Sequence, residues 1–99
     1  ITTGAGSDIT AKENVKLYAT NDITNAGNVT SNEGKVDVYS DQGKFTNTQT
    51  GNLNGDKGVE INAHQDIVNA GNVTSDNGPI TVNSTNGNFT NEPTGNLKA

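Results

Sequence analysis

The sequence predicts an all-β fold, a parallel β-helix wound in coils of about 22 residues, and three observations lead there. Residues 15–54 recur as residues 59–98 at a constant offset of 44 without a gap, and 22 of the 40 aligned positions are identical. Within each unit the apolar residues alternate at a spacing of two, as in Val15, Leu17 and Ala19, which is the period of a strand. Asn and Gly return at fixed places between the apolar clusters, as in Asn25-Ala26-Gly27-Asn28 and Asn69-Ala70-Gly71-Asn72, and mark turns. A fixed period of this size means stacked, similar units that bury a continuous core only together.

Each 44-residue unit divides into two coils. Val15, Val36, Val59 and Ile80 head segments spaced 21, 23 and 21 residues apart, and each is followed two positions on by Leu17, Val38, Ile61 or Val82. The next cluster comprises Ile23, Phe45, Ile67 and Phe89, and the last Val29, Leu53, Val73 and Leu97, so one coil carries three short strands and three turns. Ile1 aligns with Phe45 and Ile9 with Leu53. The single solenoid over 1–99 therefore reads as a partial coil, 1–14, followed by coils 15–35, 36–58, 59–79 and 80–99. Residue 1 falls partway through a coil and neither end carries a cap, which leads to the expectation of a longer solenoid extending both ways.

This register predicts inward ladders: Val15 under Val36, Val59 and Ile80, with Ala19 under Ser40, Ala63 and Ser84. Parallel strands about 4.8 Å apart make four coils a section of roughly 20 Å. The Ile23, Phe45, Ile67, Phe89 ladder alternates aliphatic and aromatic, so the repeating element is a coil pair matched in volume. Asn25, Asn47, Asn69 and Asn91 share one position, where stacked amides can hydrogen-bond along the axis. At the Gly-Asn positions 27–28, 51–52, 71–72 and 95–96, Gly is expected to supply positive φ.

Composition alone points towards disorder, since Leu, Ile, Val and Phe total 19 of 99 residues while Asn, Thr and Gly total 43. Phase decides against it: a disordered chain has no reason to hold apolar residues in register, and a narrow solenoid core needs few per coil. Helix is opposed by the spacing of two, the β-branched apolar residues and the frequent Gly and Asn. There is no Cys, hence no disulfide or thiolate metal site, and no long apolar run to insert in a membrane. A net charge of −5 with no Arg disfavours nucleic acid and anionic membrane surfaces as partners. The charges are scattered, as at Lys16, Lys35, Asp37, Lys44, Lys57 and Glu60, like those of a solvated surface.

Catalytic candidates are few. His64 is the only histidine, its counterpart one unit earlier is Thr20, and it reads as an exposed strand-end residue. Asp22 and Asp66 occupy equivalent places two coils apart, roughly 10 Å, and Asx turns are the expected use of both. No acid and base set can be assembled, so no catalytic, cofactor-binding or metal site is assigned. The glycine-aspartate repeat of calcium-binding β-rolls and the EF-hand spacing are both missing. Asn28, Asn72, Asn83 and Asn88 stand in Asn-x-Ser/Thr, a motif that chance supplies at about this frequency in so Asn- and Thr-rich a chain. A Thr24, Thr46, Thr90 row suited to ice binding is interrupted by Val68.

Gly6-Ser7-Asp8-Ile9 followed by Val15-Lys16-Leu17, together with Asp22-Ile23-Thr24-Asn25-Ala26-Gly27-Asn28-Val29 and its copy at 66–73, resembles the repeats of filamentous-haemagglutinin-type exoproteins. The similarity covers almost the whole chain, although the coils here are somewhat longer than that family's. It implies a right-handed parallel β-helix forming the shaft of a large bacterial surface adhesin, or the stalk of a contact-dependent inhibition toxin, exported by two-partner secretion. The implied location is the cell surface, and the implied partners are flanking coils and a host-cell glycan or receptor, or a receptor on a target bacterium. A second reading is a binding module that holds a glycan or receptor on exposed Thr and Asn rows, and a third is a β-helical polysaccharide-degrading enzyme.

Overall fold

A computed structural model describes residues 1–99 and contains strands but no helix. In chain order the strands are β1 (Thr2–Thr3), β2 (Asp8–Ala11), β3 (Val15–Ala19), β4 (Ile23–Asn25), β5 (Asn28–Ser31), β6 (Lys35–Ser40) and β7 (Phe45–Asn47). They continue as β8 (Asn52–Gly55), β9 (Gly58–Ala63), β10 (Ile67–Asn69), β11 (Asn72–Ser75), β12 (Ile80–Ser84), β13 (Phe89–Asn91) and β14 (Asn96–Lys98). Every third strand pairs with the last of its kind. The result is three sheets, β1-β4-β7-β10-β13, β2-β5-β8-β11-β14 and β3-β6-β9-β12, parallel throughout.

The expected ladders hold residue by residue. Val15 pairs with Val36, Val36 with Val59 and Val59 with Ile80, while Ile23, Phe45, Ile67 and Phe89 form a second column. Alternate residues point inward because the strand period is two, and the inward set from Val15 to Val73 forms one core of 13 buried apolar residues. Backbone hydrogen bonds, 60 in all, supply the rest of the cohesion, and the corners join in: Asn32 N bonds Ala11 O at 2.9 Å and Gln42 N bonds Thr20 O at 2.7 Å. Polar backbone is thus satisfied coil to coil even where no strand runs, which is how so thin an apolar rod suffices.

The alternation of 21 and 23 residues has a structural cause. Coils 15–35 and 59–79 turn from the second to the third sheet in two residues, Ala26-Gly27 and Ala70-Gly71. The coils between and after them use four, 48–51 and 92–95. Each longer turn closes on itself, Gly51 N to Thr48 O at 2.9 Å, and its Thr50 hydroxyl donates to Ala26 O of the short turn below at 2.7 Å, as Thr94 does to Ala70 O. The short turn in its turn nests against the long one beneath it: a Cβ on Gly71 would come within 2.2 Å of Gly51 O and 2.3 Å of Thr48 O. Long and short corners are therefore complementary shapes, and the coil pair is the true repeat.

Here the expectation of positive φ fails. Only Gly6 and Gly58 adopt it, and Gly27, Gly51, Gly71 and Gly95 do not. These four turns require glycine because backbone passes too close for any side chain, a constraint between coils rather than within one.

Asn25, Asn47 and Asn69 end their strands pointing inward and are fully buried. The Nδ2 of each donates to the Oδ1 of the next, Asn25 to Asn47 and Asn47 to Asn69 at 2.9 Å and Asn69 to Asn91 at 3.0 Å. The second amide hydrogen serves the local turn, for example Gly27 O at 3.0 Å. An amide fits this column because it carries both donors and acceptors, whereas stacked carboxylates would repel and have no hydrogen to give.

Candidate functional site

Asp22 and Asp66 are structural. Asp22 Oδ1 accepts from Lys44 N at 3.0 Å and Asp66 Oδ1 from Asn88 N at 2.9 Å, so each carboxylate holds the corner of the coil above. The expected Asx turn would bond within the same turn; the neighbouring coil offers its backbone N–H instead, because stacked corners bring it into reach. Gly43 lies directly over Asp22, with room for no side chain, so the intervening coil separates the two carboxylates and they share no cleft.

The outer faces differ in what they offer. On the first sheet the outward row is Thr2, Thr24, Thr46, Val68 and Thr90, one residue wide because β4, β7, β10 and β13 have only three residues each. On the second sheet Asn28, Asn52, Asn72 and Asn96 form an exterior amide row, bonded to one another at 2.6, 2.8 and 2.9 Å. Its polarity runs opposite to that of the buried column. Amides occupied in this way stiffen the surface and leave fewer groups for a ligand.

The third sheet is different. Its outward rows are Lys16, Asp37, Glu60 and Thr81, then Tyr18, Tyr39, Asn62 and Asn83. Tyr18 and Tyr39 stand edge to face with centroids 5.6 Å apart and remain 55% and 41% exposed, unusual for large rings in a chain with only four aromatics. Tyr18 Oη donates to Asp37 Oδ2 at 2.9 Å and Tyr39 Oη to Asp41 Oδ1 at 3.0 Å. These carboxylates, first by hydrogen bonding and then by their charge, raise both phenol pKa values above the ordinary 10.0. Glu60 moves the other way, held below 4.5 first by Asn62, which donates at 3.0 Å, and then by Lys35 at 3.4 Å.

Beyond Tyr39 the sheet ends in a shallow hollow of about 310 Å³, lined by Tyr39, Asp41, Asn62, His64, Asn83 and Thr85 among others. His64 lies just past the end of β9, half-buried, with Nε2 3.1 Å from Asn86 Nδ2. With that amide as donor, Nε2 accepts and Nδ1 carries the proton. No carboxylate in the hollow is paired with His64, and no group of three or more His, Cys, Asp or Glu side chains converges anywhere. Sequence reading passed over the Tyr pair, although its spacing of 21 is that of Val15 and Val36 and places the rings one above the other.

Comparison with protein-family models, with curated proteins and with solved structures finds no match for this chain.

Proposed function

We propose that this chain is a shaft segment of a secreted bacterial surface adhesin, holding a binding or toxin-bearing tip away from the cell. The observation that carries the reading is the unbroken register through every strand and corner, which makes length additive: each further coil pair advances the rod by about 9.6 Å. The polar, scattered-charge exterior suits a spacer that must not adhere along its sides. The resemblance to filamentous-haemagglutinin-type repeats supports secretion and the cell surface. In this reading the segment catalyses nothing, binds no cofactor or metal, and has flanking coils as its constant partners. Antibodies raised against it should label intact cells that make the protein. Label appearing only after lysis would overturn the surface assignment.

A further inference from the structure

We propose that the hollow beside Tyr39 binds a single neutral pyranose ring, on a part of the surface that the shaft reading does not use. A spacer requires neither exposed aromatic rings nor a concavity. Here the two coincide, where the row Tyr18, Tyr39, Asn62, Asn83 meets the corner at residues 41, 64 and 85. A sugar ring presents polarised C–H groups on its faces and hydroxyls around its rim. An aromatic face attracts the first through its quadrupole, and convergent amides, hydroxyls and carboxylates bind the second.

Tyr39 is held in place on two sides, by Tyr18 packed against it and by the bond from its hydroxyl to Asp41. Its ring is thus ordered before a ligand arrives, which reduces the entropy lost on binding. The polar lining still has capacity. Asn62 gives Nδ2 to Glu60 and retains its Oδ1, His64 retains its Nδ1–H, and the side chains of Asn83 and Thr85 have no partner in the chain. This is a mixed set of donors and acceptors, which suits hydroxyls that both give and accept. A volume near 310 Å³ lies at the low end for ligand sites and suits one ring rather than a chain. Charge selects further. Asp41 lines the hollow, Asp37 and Glu60 lie on the same face, and the net charge is −5, so sialylated or sulfated sugars are repelled.

The test is a titration of the 99-residue protein followed by amide NMR, with methyl galactopyranoside, methyl mannopyranoside and methyl glucopyranoside as probes and N-acetylneuraminic acid as the anionic control. At least one neutral glycoside should move the resonances of residues 39–41, 62–64 and 83–85 with an affinity of about 1–10 mM. Tyr39→Ala should abolish the shifts and Asn83→Ala should weaken binding about fivefold, each with an unchanged circular dichroism spectrum. The proposal is overturned if none of the neutral sugars acts at about 100 mM, ten times the weakest affinity expected. It is equally overturned if the anionic sugar binds as well, if shifts fall on the exterior Asn row instead, or if Tyr39→Ala binds unchanged. None of these results bears on the shaft assignment, which rests on register.

Discussion

Phe45 and Phe89 are the same residue in the same column, 44 positions apart and with nearly identical neighbours in sequence. Phe45 is wholly buried and Phe89 is 40% exposed. Leu53 and Leu97 repeat the contrast at 1% and 39%, and Asn47 and Asn91 follow them. Coil 36–58 has a neighbour on both sides, and coil 80–99 on one. In a solenoid burial is therefore a property of the adjacent coil, and a residue's contribution depends on its place in the stack as much as on its chemistry.

The sharpest way to break this comparison is at the ring. Phe45→Ala should cost about 3–5 kcal/mol by urea denaturation, because it leaves a cavity in a closed layer. Phe89→Ala should cost under about 1.5 kcal/mol, since much of its ring already meets water. Thr46→Ala, on the outer face beside Phe45, should change little. Appending one further 21-residue coil copied from 59–79 would cover Phe89 and raise the cost of its removal towards that of Phe45. Equal costs for the two rings in the 99-residue chain would show that burial does not govern the difference.

Amides come second. Asn47→Ala leaves the Asn25 Nδ2 and the Asn69 Oδ1 without their partner inside the rod and should cost about 2–4 kcal/mol. Asn91→Ala removes one acceptor at an exposed end and should cost about 1 kcal/mol or less. Chemical denaturation of the two variants side by side checks the ratio, and a result in which Asn91 matters as much as Asn47 would mean that the column is not cooperative.

Much of this was legible in the sequence, because a solenoid converts offset directly into contact. A constant offset placed Val36 on Val15 and Asn47 on Asn25 before any coordinates were needed. The same arithmetic brings Tyr39 onto Tyr18, but the rings lie on the outer face, where apolar periodicity directs no attention. Three features were not legible. The turn glycines are fixed by how closely the next coil's backbone approaches, which residue type alone does not reveal. Asp22 and Asp66 bond across coils for the same reason. The hollow takes its depth from how three successive corners splay, which a linear register cannot express.

The smallest effect lies on the outer face, where the row Lys16, Asp37, Glu60, Thr81 carries a carboxylate in the third full coil and a hydroxyl in the last. Glu60 is held below its ordinary 4.5 by Asn62 and Lys35, so the folded state binds its proton less readily than the unfolded state does. Its contribution is therefore present above pH 4.5 and is lost as pH falls through the lowered folded value. Lys35 and Glu60 are both well exposed, and the pair is worth about 0–1 kcal/mol, less in high salt. Glu60→Gln should thus lower the melting temperature slightly at pH 7, and the difference from the parent should vanish on acidification towards pH 3, whereas Thr81→Val should leave the acid limb unchanged. A gap between Glu60→Gln and the parent that persisted at low pH would assign the effect to packing of the side chain rather than to its charge.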